Sequence, residues 1–175
     1  MEFFETIEKR ASYRNAFLEK EIPEEDIRRI LTAGLYAPSG YNMQTTSFVV
    51  VRDAALKKAI SELLPTPATK SAAVIIVALS EEKAAKAAAG PVHFETEDYA
   101  AAVENIMLAI TACGYAGVWM DGMTRTEGTE RKIAELLNVP AGKSVRTIIP
   151  FGVPEKEAKQ MSKKPFDERV TWDKF

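Results

Sequence analysis

The sequence predicts an α+β domain in which a small sheet is wrapped by helices. Three observations lead there. Short apolar runs at 47–51, 72–79, 118–120 and 145–151 alternate with longer segments whose apolar residues recur at helical spacing. One of these runs, Ala72 to Leu79, has no polar residue at all, the pattern of a strand buried on both faces. The 175 residues carry 46% hydrophobic and 27% charged side chains, a globular balance, with no internal repeat or linker to divide them.

Taken in order, Phe3, Phe4, Ile7 and Ala11 share a helical face, so residues 2–11 read as a short helix with a polar outer side. A second helix begins at Pro23, whose missing N–H has no partner to lose in a first turn. Glu24, Glu25 and Asp26 follow and complement the positive end of the helix dipole. Ile27, Ile30, Leu31, Gly34 and Leu35 make its inward face. Pro38 stops it, because a proline pushes its predecessor out of the α region and donates no hydrogen bond. Ser47 to Val51 is the first strand. Asp53 caps a third helix with Leu56, Ile60, Leu63 and Leu64 inward, ended by Pro65 and Pro67.

After the strand at 72–79, residues 80–95 are rich in Ala, Lys and Glu and read as a helix or a mobile excursion around His93. The longest helix opens at Thr96 or Glu97 and runs to about Ala112. It buries Tyr99, Ala102, Val103, Ile106, Met107 and Ile110 and is the expected centre of the core. Gly114-Tyr115-Ala116-Gly117 feeds a third strand, Val118 to Met120, then a turn at Asp121-Gly122-Met123 and a helix over 127–138. Val145 to Phe151 is the fourth strand. The tail from 155 to 175 is polar and basic but ends in Val170, Trp172 and Phe175. Such residues need a surface, their own core or a neighbouring subunit.

Composition excludes several classes. A net charge of −2 gives no electrostatic pull towards nucleic acid. The apolar runs are too short to cross a bilayer, and the N-terminus carries acids where a secretory signal carries bases. A cytoplasmic location is expected, which the single Cys113 also fits. One cysteine and one histidine leave no metal set within a chain and few nucleophilic triads, so a cofactor is expected to carry any chemistry. His93, with no acid or nucleophile evident beside it, reads as incidental. Gly142-Lys143-Ser144 imitates the end of a phosphate loop, but Leu137 stands where the first glycine belongs and a strand follows. No G-x-G-x-x-G is present.

The stretch Ala37-Pro38-Ser39-Gly40-Tyr41-Asn42-Met43-Gln44 displays hydroxyl and amide groups just before a buried strand. Uncharged groups that both donate and accept suit a polyhydroxyl chain or a heterocycle edge better than a metal, although a plain turn uses the same residue types. Arg10, Ser12 and Arg14 can hold a phosphate through planar guanidinium forks, or form a solvated basic turn paired with Glu5 and Glu8. Lys163 and Lys164, with Arg169, form a second basic group that in isolation reads as a solvated face. Gly114 is explained by a helix C-cap; Gly117 less so, and it can admit a flat ligand close to the backbone. Trp119 is expected in the core.

Together these pieces resemble the nitroreductase family of flavin mononucleotide (FMN) enzymes over nearly the whole chain. The likeness rests on Arg10-Ala11-Ser12-Tyr13-Arg14-Asn15-Ala16-Phe17, the 37–44 stretch and its strand, and Asp98 to Asn105. Gly114-Tyr115-Ala116-Gly117-Val118-Trp119 and Ile149-Pro150-Phe151-Gly152-Val153-Pro154 complete it. The resemblance implies a nitroreductase-like fold, a small, mostly antiparallel sheet flanked by helices, with one FMN-binding domain over 1–175. It also implies an intertwined homodimer with two interfacial flavin sites and the 155–175 tail wrapping the partner.

Matched motif by motif, Arg10, Ser12 and Arg14 would contact the phosphate and ribityl oxygens, with Lys163 or Lys164 adding charge. Asn42 and Gln44 would reach the ribityl and ring edge. Pro38 and Ser39 would lie against the isoalloxazine from the other subunit. The turn at Asp121, Gly122 and Met123 would aim backbone N–H groups at flavin N5 and O4. Two departures stand out. Ala11 replaces a frequent arginine, and Gln44-Thr45-Thr46 replaces a common Gln-Pro-Trp.

The implied activity is FMN-dependent oxidation of NADH or NADPH, with ping-pong reduction of a nitroaromatic, quinone or related electrophile. No side-chain acid is required; Asp121 is a candidate for proton relay or pocket polarity. Alternatives on the same fold are reductive dehalogenation and oxygen-dependent flavin breakdown. A flavin store or sensor without turnover, and a structural domain without cofactor, are the non-enzymatic readings.

Overall fold

The apolar run at 72–79 becomes an inner strand of an antiparallel sheet, which is why it needs no polar face. A computed structural model describes residues 1–82, 85–87 and 90–175. Its elements are α1 (Phe3–Lys9), α2 (Glu24–Leu35), β1 (Thr46–Val51), α3 (Ala54–Leu63), α4 (Pro67–Ser71), β2 (Val74–Glu81), β3 (Ala85–Ala87) and β4 (Gly90–Val92). They continue with α5 (Glu95–Ala112), β5 (Ala116–Gly117), α6 (Thr129–Leu136) and β6 (Lys143–Gly152). Single 3₁₀ turns lie at Gly40–Asn42 and Phe166–Glu168. The main sheet has the order β1-β2-β6-β5 with every pair antiparallel.

Because side chains alternate along a strand, β2 serves two cores. Ile75, Val77 and Leu79 pack with Tyr13, Phe17, Ile60 and Leu64 and with Ile133 of α6. Val74, Ile76 and Ala78 pack with Ile27 and Ile30 of α2 and with Val103, Ile106 and Ile110 of α5. The sheet is thus the middle of three layers. Each buried Val, Leu or Ile side chain among these stabilises the fold by about 1.5–3 kcal/mol. A register shift lets Ala78 pair with Thr147 and Leu79 with Val145, skipping Arg146. That bulge puts Val145 on the same face as Ile148, and Arg146 lies over the Tyr99 ring at 5.4 Å.

The six apolar residues expected inward on the long helix are all buried on α5, and Asp98 is buried with them. Elsewhere the structure corrects the sequence reading. Phe3, Phe4 and Ile7 of α1 are exposed and Thr6 is the buried residue, so the apolar face points out. Leu35 is exposed as well, next to exposed Tyr36. The expected helix or excursion after β2 holds the ribbon β3–β4 instead, although positions 83, 84, 88 and 89 lie outside the described residues. The third strand is Ala116–Gly117 rather than Val118–Met120, with Met120 joined to Ile148 only by an isolated bridge. Pro67 opens the short helix α4, where the Thr66 hydroxyl accepts from Thr69 N at 3.1 Å.

Candidate active site

The segment after α1 is held against the sheet rather than left as a surface turn. Ser12 bridges Gly117 in parallel, and Tyr13 N donates to Gly117 O at 2.8 Å. The buried Tyr13 hydroxyl donates to Ala16 O at 2.9 Å and accepts from Lys156 N at 3.2 Å. Gly117 serves close strand packing: a Cβ there would lie 3.2 Å from Phe151 Cβ and 3.4 Å from Ile110 Cδ1. Gly114, at φ +83°, is the left-handed residue following α5.

Two cavities open beside this segment. A net basic one of about 490 Å³ is lined by Ser12, Arg14 and Asn15 together with Lys156, Glu157 and Lys159 of the tail, where Glu157 Oε2 lies 3.8 Å from Lys159 Nζ. The other, of about 430 Å³, has Pro67, Ala68, Val118, Trp119 and Met120 as its apolar wall and Asp121, Gly122 and Met123 at its edge. Arg14 lines both. Trp119 therefore does double duty, packing on the α5 side of the core while facing the cavity.

Arg10 lies apart from both cavities, its Nε 3.2 Å from Glu104 Oε1; Glu5 pairs with Lys9. Lys163 and Lys164 are exposed in the tail and line neither cavity. The lysines that line the basic cavity are Lys156 and Lys159, two residues the sequence did not single out. They are placed by the bridge Phe17–Pro154 and by Glu155 N donating to Ala16 O at 3.4 Å, pairings that no local motif announces.

The 121–123 turn is fixed from three sides. The buried Thr124 hydroxyl donates to Asp121 O at 2.5 Å and Arg146 O at 3.1 Å. Arg125 binds both Asp121 carboxylate oxygens and donates to Tyr99 Oη at 2.7 Å, while Tyr99 donates to Asp121 Oδ2 at 3.1 Å. Burial first, and the Asp121 charge second, raise the Tyr99 pKa, so the phenol stays a donor. Asp121 is thereby a turn anchor with both oxygens engaged. The N–H groups of Asp121, Gly122 and Met123 make no backbone hydrogen bond among the described residues, leaving donors at the cavity edge.

The 38–44 stretch lies elsewhere. Tyr41, Asn42 and Gln44 all adopt left-handed φ values of 51–53°, an uncommon cluster for non-glycine residues. Ser39 Oγ accepts from Gln44 N at 3.0 Å. Gly40 has no room for a side chain, since a Cβ would sit 2.3 Å from the Phe94 ring. Pro38, Asn42 and Gln44 are exposed. Pro38, Ser39, Gln44 and Thr46 line a third cavity of about 250 Å³, and the buried Thr46 Oγ1 has no partner among the described residues. This cavity shares no described residue with the other two, so one chain carries two separate groups of site residues. His93 is close to an acid after all, its Nδ1 3.6 Å from Oε2 of the largely buried Glu95 at the start of α5.

Residues 7–67 and 60–153 match the nitroreductase family. A protein of Archaeoglobus fulgidus, provisionally named an NADH dehydrogenase/NAD(P)H nitroreductase, is 33% identical over 147 residues, 81% of this chain and 79% of that one. A Methanothermobacter thermautotrophicus protein with the same provisional name is 31% identical over 155 residues, 88% of this chain and 78% of that one. Among solved structures, a provisionally named nitroreductase of Desulfovibrio desulfuricans in complex with FMN superposes with a TM-score of 0.83 at 25% identity, covering 100% of this chain and 98% of that one. With the family match spanning most of the chain and relatives above 30% identity along it, the chain belongs to the nitroreductase family.

Proposed function

We propose that this protein is an FMN-dependent NAD(P)H oxidoreductase, a cytoplasmic homodimer with a flavin site at each end of its interface. The observation that carries the reading is Arg14, which lines a basic cavity and an apolar one at once. A phosphate fits the first. Ser12, Arg14 and Lys156 offer a hydroxyl and two cations to a group bearing nearly two negative charges. Lys159, 3.8 Å from Glu157 Oε2 on the same lining, adds a third cation that a phosphate would have to share with that carboxylate. A flat heterocycle fits the second, against Trp119 and Pro67, with the Asp121–Met123 N–H groups at its edge. When bound, FMN supplies two-electron hydride chemistry at N5, between a reduced nicotinamide and a nitroaromatic, quinone or related electrophile. The chain's part is to hold the phosphate, aim donors at the edge where negative charge develops, and exclude water.

Exposed apolar side chains support the second subunit of this reading. Phe3, Phe4, Leu35, Tyr36, Phe166 and Trp172 are all more than half exposed in one chain, an apolar area that a partner would cover. In that assembly Pro38, Ser39, Asn42 and Gln44 of one subunit complete the flavin site of the other. Titration with FMN and with riboflavin, followed by flavin fluorescence, tests this. One FMN per chain and distinctly weaker riboflavin binding are expected; equal affinity for both overturns the phosphate site.

A further inference from the structure

Asp98 is 4% exposed in the first turn of α5, and both its carboxylate oxygens serve one loop. Oδ1 accepts from Gly40 N at 2.8 Å and Oδ2 from the Thr45 hydroxyl at 2.6 Å. No cation pairs with Asp98 among the described residues, so these donors are the partners of its buried carboxyl group. Between the two attachment points the chain passes through Tyr41, Asn42 and Gln44, all left-handed. Such conformations persist only where the surroundings impose them. Gly40, held against the Phe94 ring, and Thr45, buried at 3%, are the fixed ends of the strained span. The next residue, Tyr99, holds the Asp121 turn.

We propose that Asp98 is the positioning residue of the Ser39–Thr45 loop, setting the backbone from which Ser39, Asn42 and Gln44 reach the flavin of the partner subunit. The proposal rests on the flavin reading above. Asp98 also lines the cavity beside Pro38, Ser39 and Gln44, but both its carboxylate oxygens are taken by Gly40 and Thr45, so it acts through the loop. Carried on the buried helix α5, it ties loop geometry to the core rather than to the loop's own sequence.

The test compares Asp98→Ala, Asp98→Asn and Thr45→Val in the full chain by three readouts. These are hydrogen exchange of the Gly40 amide without flavin, FMN affinity, and the absorption spectrum of bound FMN. Asp98→Ala is expected to speed Gly40 exchange and weaken FMN binding, each at least tenfold, and to shift the flavin bands. Asp98→Asn keeps an acceptor for Gly40 and can pair with the Thr45 hydroxyl through its amide, so it should recover most of the loss. Thr45→Val removes one contact with little change of volume and should fall between them. If Asp98→Ala does not fold, Thr45→Val and Asp98→Asn decide the matter by the same readouts. Variants that lose thermal stability while keeping wild-type Gly40 exchange, FMN affinity and flavin spectrum would reduce Asp98 to a core group and overturn the proposal. Wild-type protein that binds no FMN would overturn the flavin reading itself, a failure visible before any variant is made. In that case Gly40 exchange still reports whether Asp98 clamps the loop.

Discussion

The backbone N–H of Lys156 donates to the Tyr13 hydroxyl at 3.2 Å, joining the start of the tail to the segment that follows α1. Lys156, Glu157 and Lys159 come to line one cavity with Ser12, Arg14 and Asn15 as a result, so polar side chains from two ends of the sequence share one volume.

Arg14→Ala should weaken FMN binding roughly ten- to a hundredfold, about 1.5–3 kcal/mol for the loss of a charge-assisted hydrogen bond to phosphate. Arg10→Ala should cost less, because Glu104 already engages that guanidinium. Fluorescence titration of both variants checks the order. A larger loss at Arg10 would mean that the arginine leaves Glu104 when flavin binds.

Truncation after Pro154 removes both lysines and the exposed Met161, Phe166, Trp172 and Phe175. Less dimer in sedimentation and less retained flavin are expected together. A stable, yellow, truncated monomer would contradict the interfacial site.

Tyr115 donates to Asp26 Oδ2 at 2.5 Å, tying the chain before β5 to α2. That hydrogen bond first, and burial second, push its pKa up to about 12 from 10.0. The folded state thus keeps a proton that the unfolded chain releases earlier. The stabilisation is fully present below about pH 10 and is lost as pH rises through about 12. Urea unfolding of the wild type should show this decline, and Tyr115→Phe should be about 1–2 kcal/mol less stable at pH 8 with a flatter profile above pH 10. Parallel profiles for the two proteins would refute the assignment.

Asp53 caps α3 by accepting from Leu56 N at 2.8 Å. Asp53→Ala should cost about 1 kcal/mol of stability and leave FMN affinity unchanged, since α3 lines none of the three site cavities. Loss of flavin at unchanged stability would show a coupling that the fold does not suggest.

Legibility of the sequence followed the range of the interaction concerned. The buried stripe of α5 and the apolar strand β2 were readable because periodicity and burial are local properties of a segment. Phe3, Phe4 and Leu35 were misplaced because an apolar stripe looks the same whether it meets a core or another chain. The bulge at Arg146 left no mark, being a property of two paired strands. Arg14 and the 121–123 turn line cavities that local motifs pointed towards, while Lys156 and Lys159 join one of them only because the end of β6 runs beside 12–17. Asp98 lay inside a motif span, but its role depends on Gly40 and Thr45, 58 and 53 residues away.

The most direct measurement is the visible spectrum of the purified, FMN-reconstituted protein before and after anaerobic addition of NADH or NADPH. Bound-flavin absorption that bleaches with one of the nicotinamides, and returns when a quinone or nitroaromatic is added, is the predicted result. Bound flavin that neither nicotinamide bleaches, or a protein that stays colourless after reconstitution, would contradict the oxidoreductase assignment.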